Sequence, residues 1–169
     1  GLGAKLGIEN PIEIPRFIPN SKYYDKLYRK EVNGWRATYM LSLGIGQGEL
    51  LVSTLQMANL ATVIANRGYY YAPHLLKKYL NTEEEIDIKY RTKHKVRIDQ
   101  QHFGPVIQGM EWAVSAGTAR AAITPEIPIA GKTGTSQNKG KDHSVFFGFA
   151  PIDNPKIAIA VYIENGGWG

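Results

Sequence analysis

Ile127-Pro128-Ile129-Ala130-Gly131-Lys132-Thr133-Gly134-Thr135-Ser136-Gln137 is the stretch from which the rest of the chain is read. An apolar run ends in Gly131, and Lys132, Thr133, Gly134 and Thr135 follow without a gap. The pattern predicts a strand that offers one ammonium, two hydroxyls and a backbone N–H to an anionic or carbonyl ligand. Gly134 has no Cβ, so a ligand is expected to lie close against the backbone there.

Two chemistries use such a string. A P-loop needs a glycine, four residues, then Gly-Lys-Thr. Gly131-Lys132-Thr133 fits the end of that motif, but Glu126 stands where the first glycine belongs, and Pro128 interrupts the would-be loop. The residues after Thr133 also start a helix poorly. The other chemistry is the Lys-Thr-Gly element of serine acyl-transferases that bind penicillin. Taken alone, the tripeptide fits a polar strand end equally well.

Downstream, residues 138–142 read as a polar turn, residues 144–150 as a strand, Asp153-Asn154-Pro155 as a turn and residues 156–164 as a half-buried alternating strand. Turns this short imply an antiparallel meander with the Lys-Thr-Gly strand first. Its expected extents are 127–135, 143–150 and 156–164. Upstream, Leu51, Leu55, Ala58, Ala61, Thr62 and Ala65 recur at helical spacing. They predict a helix over 50–66, capped by Ser53 or Thr54 and closed by Gly68. A second helix is expected over 100–115, capped by Asp99, with Phe103, Val106, Ile107, Met110 and Val114 on one face. Residues 69–80 and 87–98 read as the two strands of a hairpin. His74, next to Pro73, reads as a surface residue. Residues 1–20 are loop-like, with Pro11, Pro15 and Pro19 against helix. Residues 21–40 read as an aromatic surface excursion with little regular structure. Gly44, Gly46 and Gly48 mark a tight turn before the first long helix, with Gln47 read as a turn-stabilising side chain. The fold class is therefore α+β, an antiparallel sheet with packed helices.

With 169 residues, 43% of them apolar, the chain suits one domain or most of one. It has no cysteine, which excludes disulfides and thiolate metal sites. No apolar run is long enough to span a membrane, and no signal-peptide pattern opens the sequence. Both ends read as cuts: the start lacks Met, and Gly166-Gly167-Trp168-Gly169 stops just after a strand. The net charge is +5, with much of the excess between Lys77 and Arg97. Interleaved Glu83, Glu84, Glu85 and Asp87 make that segment a solvated hairpin edge rather than a patch for an anionic polymer or lipid headgroups.

Gly46-Gln47-Gly48, Leu55-Gln56-Met57-Ala58, Gly68-Tyr69, Pro73, Gly117-Thr118-Ala119, Gly131 through Gln137, Phe147-Gly148-Phe149-Ala150-Pro151 and Glu164-Asn165-Gly166-Gly167 occur in that order. Together they resemble the C-terminal part of the transpeptidase domain of class B penicillin-binding proteins, the elongation enzymes most of all. The resemblance covers essentially the whole chain and is thinnest over 21–40 and 77–98. It implies part of the penicillin-binding/serine β-lactamase-like fold, with the part bearing the nucleophile lying upstream. It also implies an enzyme that cross-links peptidoglycan stem peptides through a serine acyl-enzyme and binds β-lactams. Lys132 and Thr135 are then the catalytic candidates, with half the oxyanion hole supplied by the Thr135 N–H. Thr133, Gly134, Thr135 and Gln137 are the substrate-binding candidates. No cofactor or metal is implied. The implied partners are the peptidoglycan stem peptide, penicillin, the N-terminal part of the same protein and the cell-elongation machinery. The implied location is the periplasmic face of the bacterial cytoplasmic membrane.

The family's Ser-x-x-Lys and Ser-x-Asn motifs are not found. Of six serines, only Ser136, in Ser136-Gln137-Asn138-Lys139, has the right spacing. It leaves a strand, whereas the nucleophile must open a helix that presents the lysine one turn on. The alternatives to a transpeptidase fragment are a nucleotide-binding domain using Gly131-Lys132-Thr133 and a non-catalytic wall-binding module.

Overall fold

The computed structural model describes residues 2–8 and 18–169. Pro11 and Pro15 lie outside the described residues. The meander forms as the turn spacing requires. Strands β3 (Ala130–Ser136), β4 (His143–Ala150) and β5 (Ile157–Ile163) pair antiparallel in that order. Ala130 lies opposite Phe149, Lys132 opposite Phe147, and Phe147 opposite Ala160. Residues opposite one another share a face, so Ala130, Phe149 and Ala158 look toward the helices.

Two helices cover that face. Helix α5 (Phe103–Ser115) packs on β3, and α3 (Thr54–Ala65) packs on β4 and β5. The core between them is Val63, Ile64, Ala65, Phe103, Ile107, Met110, Ala130 and Phe149. Val106, expected on the packed face, is 47% exposed. Asp99 makes no capping bond through its side chain; a 3-10 turn over Gln100–His102 leads into α5 instead.

Helix α3 starts at Thr54, four residues later than the periodicity predicts, because Ser53 stops it. Ser53 is extended, and its hydroxyl takes the Gln56 N–H (3.1 Å) while Gln56 Oε1 takes the Ser53 N–H (3.0 Å). Each side chain satisfies a donor that the first turn leaves without a partner. Gln56 is only 3% exposed, and its Nε2 also donates to the Ala4 carbonyl (3.0 Å), tying the N-terminal segment to the helix. At the other end Arg67, not glycine, takes the left-handed position (φ 54°). Its N–H reaches the Ile64 carbonyl (3.0 Å), and that of Gly68 reaches Val63 (2.9 Å). Gly68 follows at φ 113°, where a Cβ would also stand 3.3 Å from the Phe103 ring.

The segment 21–40 departs from expectation. It holds α1 (Ser21–Leu27) and the start of α2 (Thr38–Gly44). Asn20 caps α1 by accepting the Tyr23 N–H (3.0 Å). Tyr24 is fully buried, with ring centres 5.9 Å from Tyr28 and 5.5 Å from Trp35. Its hydroxyl donates to Glu49 (2.6 Å), as does that of Tyr28 (3.2 Å), which ties α1 to the turn before α3. The tyrosines are one helical turn apart, a spacing that their polarity obscures in sequence.

The predicted hairpin is shorter than its two segments. Only β1 (Tyr69–Tyr71) and β2 (Lys93–Lys95) pair, with a short helix α4 (Ile88–Arg91) between them. Pro73 ends the first strand early. His74 is half-buried, its ring 4.7 Å from that of Tyr90, and it is not the surface residue expected. Charges in this segment pair as Lys89–Asp87 (3.4 Å) and Arg91–Glu85, in keeping with a solvated edge. Among the described residues no helix is long and apolar enough to cross a membrane.

Candidate active site

All four members of the Lys132-Thr133-Gly134-Thr135 string lie on β3, the first strand of its sheet, with β4 on one side and no strand on the other among the described residues. Alternation separates them. Lys132 and Gly134 share the helix-side face with Phe147 and Val145, while Thr133 and Thr135 lie on the other. They come together only at the open edge of the strand. The Lys132 ammonium bends back to donate to the Thr133 carbonyl (2.9 Å). That carbonyl therefore points to the open edge, and the backbone of Thr135, two residues on, turns the same way. The edge thus presents an exposed cation and an outward N–H side by side.

Gly134 is open: a Cβ there would meet only Val145, at an ordinary 3.7 Å. The neighbouring glycines serve packing instead. A Cβ on Gly131 would stand 2.4 Å from the Phe146 ring, and one on Gly148 would stand 2.6 Å from the Ala130 carbonyl oxygen. Gly131 and Gly148 therefore set how closely β3 and β4 approach, while Gly134 leaves room for a ligand.

Both threonine hydroxyls on β3 have partners. The Thr135 hydroxyl oxygen accepts the Gly169 N–H (3.2 Å), which leaves its own proton to donate outward. That contact comes from a return of the chain after β5, fixed by Gly167 N–H to the Asp142 carbonyl (2.8 Å) and by Ser144 Oγ donating to the Gly167 carbonyl (2.9 Å). Thr133 Oγ1 lies 2.9 Å from Thr118 Oγ1. Thr118 belongs to the Gly117-Thr118-Ala119 segment, to which the sequence reading gave no role in the site. A contact across fifteen residues leaves no periodic signal. Gln137 follows the strand end and is exposed.

Other readings of the string do not survive this geometry. Gly131-Lys132-Thr133 sits within an antiparallel strand, with no helix after it to receive a phosphate. Ser136 is the last residue of the same strand. Among the described residues no group of His, Cys, Asp or Glu side chains could hold a metal ion. A cavity of about 210 Å³ opens among Glu111, Val114, Ile123, Ile127 and Ile152, and none of the expected site residues lines it.

A strand edge carrying Lys-Thr-Gly-Thr, backed by an antiparallel sheet and a helix, is the arrangement that the resemblance to penicillin-recognising enzymes leads one to expect. The family model "Penicillin binding protein transpeptidase domain" matches residues 1–169, and the chain belongs to that family. It is 32% identical to the peptidoglycan D,D-transpeptidase MrdA of Acinetobacter baumannii, covering all of this chain and 27% of that protein. With the MrdA of Haemophilus influenzae the identity is 30%, over all of this chain and 29% of that one. Among solved structures, Pseudomonas aeruginosa PBP2 in complex with WCK 5153 superposes at a TM-score of 0.83 with 35% identity, over 100% of this chain and 36% of that one. The Helicobacter pylori PBP2 complex with MreC superposes at 0.79 with 26% identity, over 100% and 31%. The chain spans under a third of the length of these curated relatives.

Proposed function

We propose that this chain is the C-terminal part of the transpeptidase domain of a peptidoglycan D,D-transpeptidase, and that the serine nucleophile and its base lie upstream. The observation that carries the reading is the open edge of β3, where Lys132, the Thr133 and Thr135 hydroxyls and the uncrowded Gly134 meet. In this role Lys132 supplies positive charge beside the serine of the Ser-x-Asn motif. The hydroxyls of Thr133 and Thr135 donate to the terminal carboxylate of the donor stem peptide. The Thr135 N–H donates to the carbonyl oxygen that becomes the oxyanion, a contact of about 3 kcal/mol in transition-state stabilisation. Penicillin, which carries a carboxylate and a strained carbonyl, takes the same place. Gln137, at the exposed end of the strand, lies where the rest of the donor peptide would pass.

The same reading puts the domain at the periplasmic face of the cytoplasmic membrane, alongside the cell-elongation machinery. The latter draws on the relative solved with MreC.

The test is labelling of the intact protein with a fluorescent penicillin. Wild type should label at a serine upstream of Gly1, and Lys132→Ala and Thr135→Val should each slow acylation by about tenfold or more, the worth of a hydrogen bond to a charged group. Unlabelled wild type would favour a non-catalytic wall-binding module, and unchanged rates in both variants would remove Lys132 and Thr135 from the site.

A further inference from the structure

We propose that Thr118 is a positioning residue for the carboxylate end of the ligand, acting through Thr133; this rests on the function proposed above. The two hydroxyl oxygens are 2.9 Å apart, a full hydrogen bond in which one proton is shared and one is left over. When Thr133 donates to a carboxylate, its oxygen can only accept from Thr118. The order is then fixed: Thr118 O–H to Thr133 Oγ1, and Thr133 O–H to the ligand. A hydroxyl that accepts one bond is a stronger donor in the next. Thr135 is arranged alike, since its oxygen accepts the Gly169 N–H. Each of the two β3 threonine hydroxyls is thus polarised from behind by a separate element, and their two free protons match the two oxygens of one carboxylate.

Thr118 is held for this role by its neighbours. A Cβ on Gly117 would stand 2.8 Å from Ala113 Cα, so the chain passes hard against the last turn of α5. Ala119 is 2% exposed and donates to the Ala113 carbonyl (2.8 Å). The packing of α5 on β3 therefore sets the Thr118–Thr133 distance. Thr118 itself is exposed, so removing its hydroxyl costs the core nothing.

The experiment separates the affinity of the complex formed before acylation from the acylation rate, in the intact protein. The probes are benzylpenicillin and its methyl ester, which lacks the charged carboxylate. Thr118→Val should weaken the benzylpenicillin complex about five- to tenfold, as expected for a hydrogen bond serving a charged group, and leave the ester unchanged. Thr118→Ser should stay within about twofold of wild type. In a Thr133→Val background, Thr118→Val should add nothing further, because the two act in series. A merely structural role would weaken both probes alike. That result, an undiminished benzylpenicillin complex, or additive losses in the double variant would each overturn the proposal. Failure of the underlying reading is distinguishable, since wild type itself would then not be acylated.

Discussion

The residues that could be read in the sequence are those whose chemistry depends on their neighbours in the chain. Lys132, Thr133, Gly134 and Thr135 sit on a strand as their spacing predicts, yet alternation divides them between two faces, and only an open edge brings them together. Thr118 and Glu49 were illegible as partners because their contacts join distant parts of the chain. The hydrogen bond from Tyr24 holds the Glu49 carboxyl below its ordinary value. Burial, and then the bond to Glu49, pushes the Tyr24 phenol up to about 12. A lowered carboxyl stabilises the fold above its ordinary range and loses that contribution as pH falls through the lowered value. A raised phenol contributes below pH 10 and loses it between 10 and about 12. The stability gap between wild type and Tyr24→Phe should therefore be widest at neutral pH and narrow toward both extremes. Urea unfolding at pH 3, 7 and 11 checks this, followed by the fluorescence of Trp35, which packs on Tyr24. A gap that stays constant across this range would mean that the Tyr24–Glu49 bond does not stabilise the fold.

Elements with a strong period were predicted to within four residues at each end: α3, α5 and the three strands of the meander. Elements set by distant contacts were not. The aromatic run of 21–40 becomes helical because Tyr24 and Tyr28 both reach Glu49, and the lysine-rich hairpin shrinks to three pairs where Pro73 leaves it. The start of α3 shows how one side chain can govern an element. Gln56 closes the capping box and also holds Ala4, whereas Ser53 serves only the helix end. Ser53→Ala should cost about 1 kcal/mol, and Gln56→Ala about 2 kcal/mol, since the latter loses the bond to Ala4 as well as its share of the cap. Chemical denaturation of the two variants measures the order. Equal losses would show that the tether to Ala4 adds nothing to the cap.

For the whole molecule, one sheet face is covered by α3 and α5, while the other carries Ile157 (63% exposed), Ile159, Val161 and Ile163 in an open apolar row. Among the described residues no serine opens a helix with a lysine one turn on, the arrangement that activates such a nucleophile. The 169-residue chain alone should therefore not gain mass from penicillin, and it should associate through the apolar row. Intact-mass measurement and sedimentation velocity test the two parts. A stoichiometric adduct on Ser136 would reverse the assignment of the nucleophile, and a monodisperse monomer would show that the row needs no cover. The meander has a further consequence, for the order in which the chain acquires its shape. Six residues, 137–142, join β3 to β4, and another six, 151–156, join β4 to β5, so both pairings close short loops at small entropic cost. The docking of α3 on β5 joins parts separated by on the order of a hundred residues of chain. The strand carrying Lys132 and Thr133 should thus acquire its register early, as part of a local hairpin, and wait for the helices that later fix Thr118 beside it.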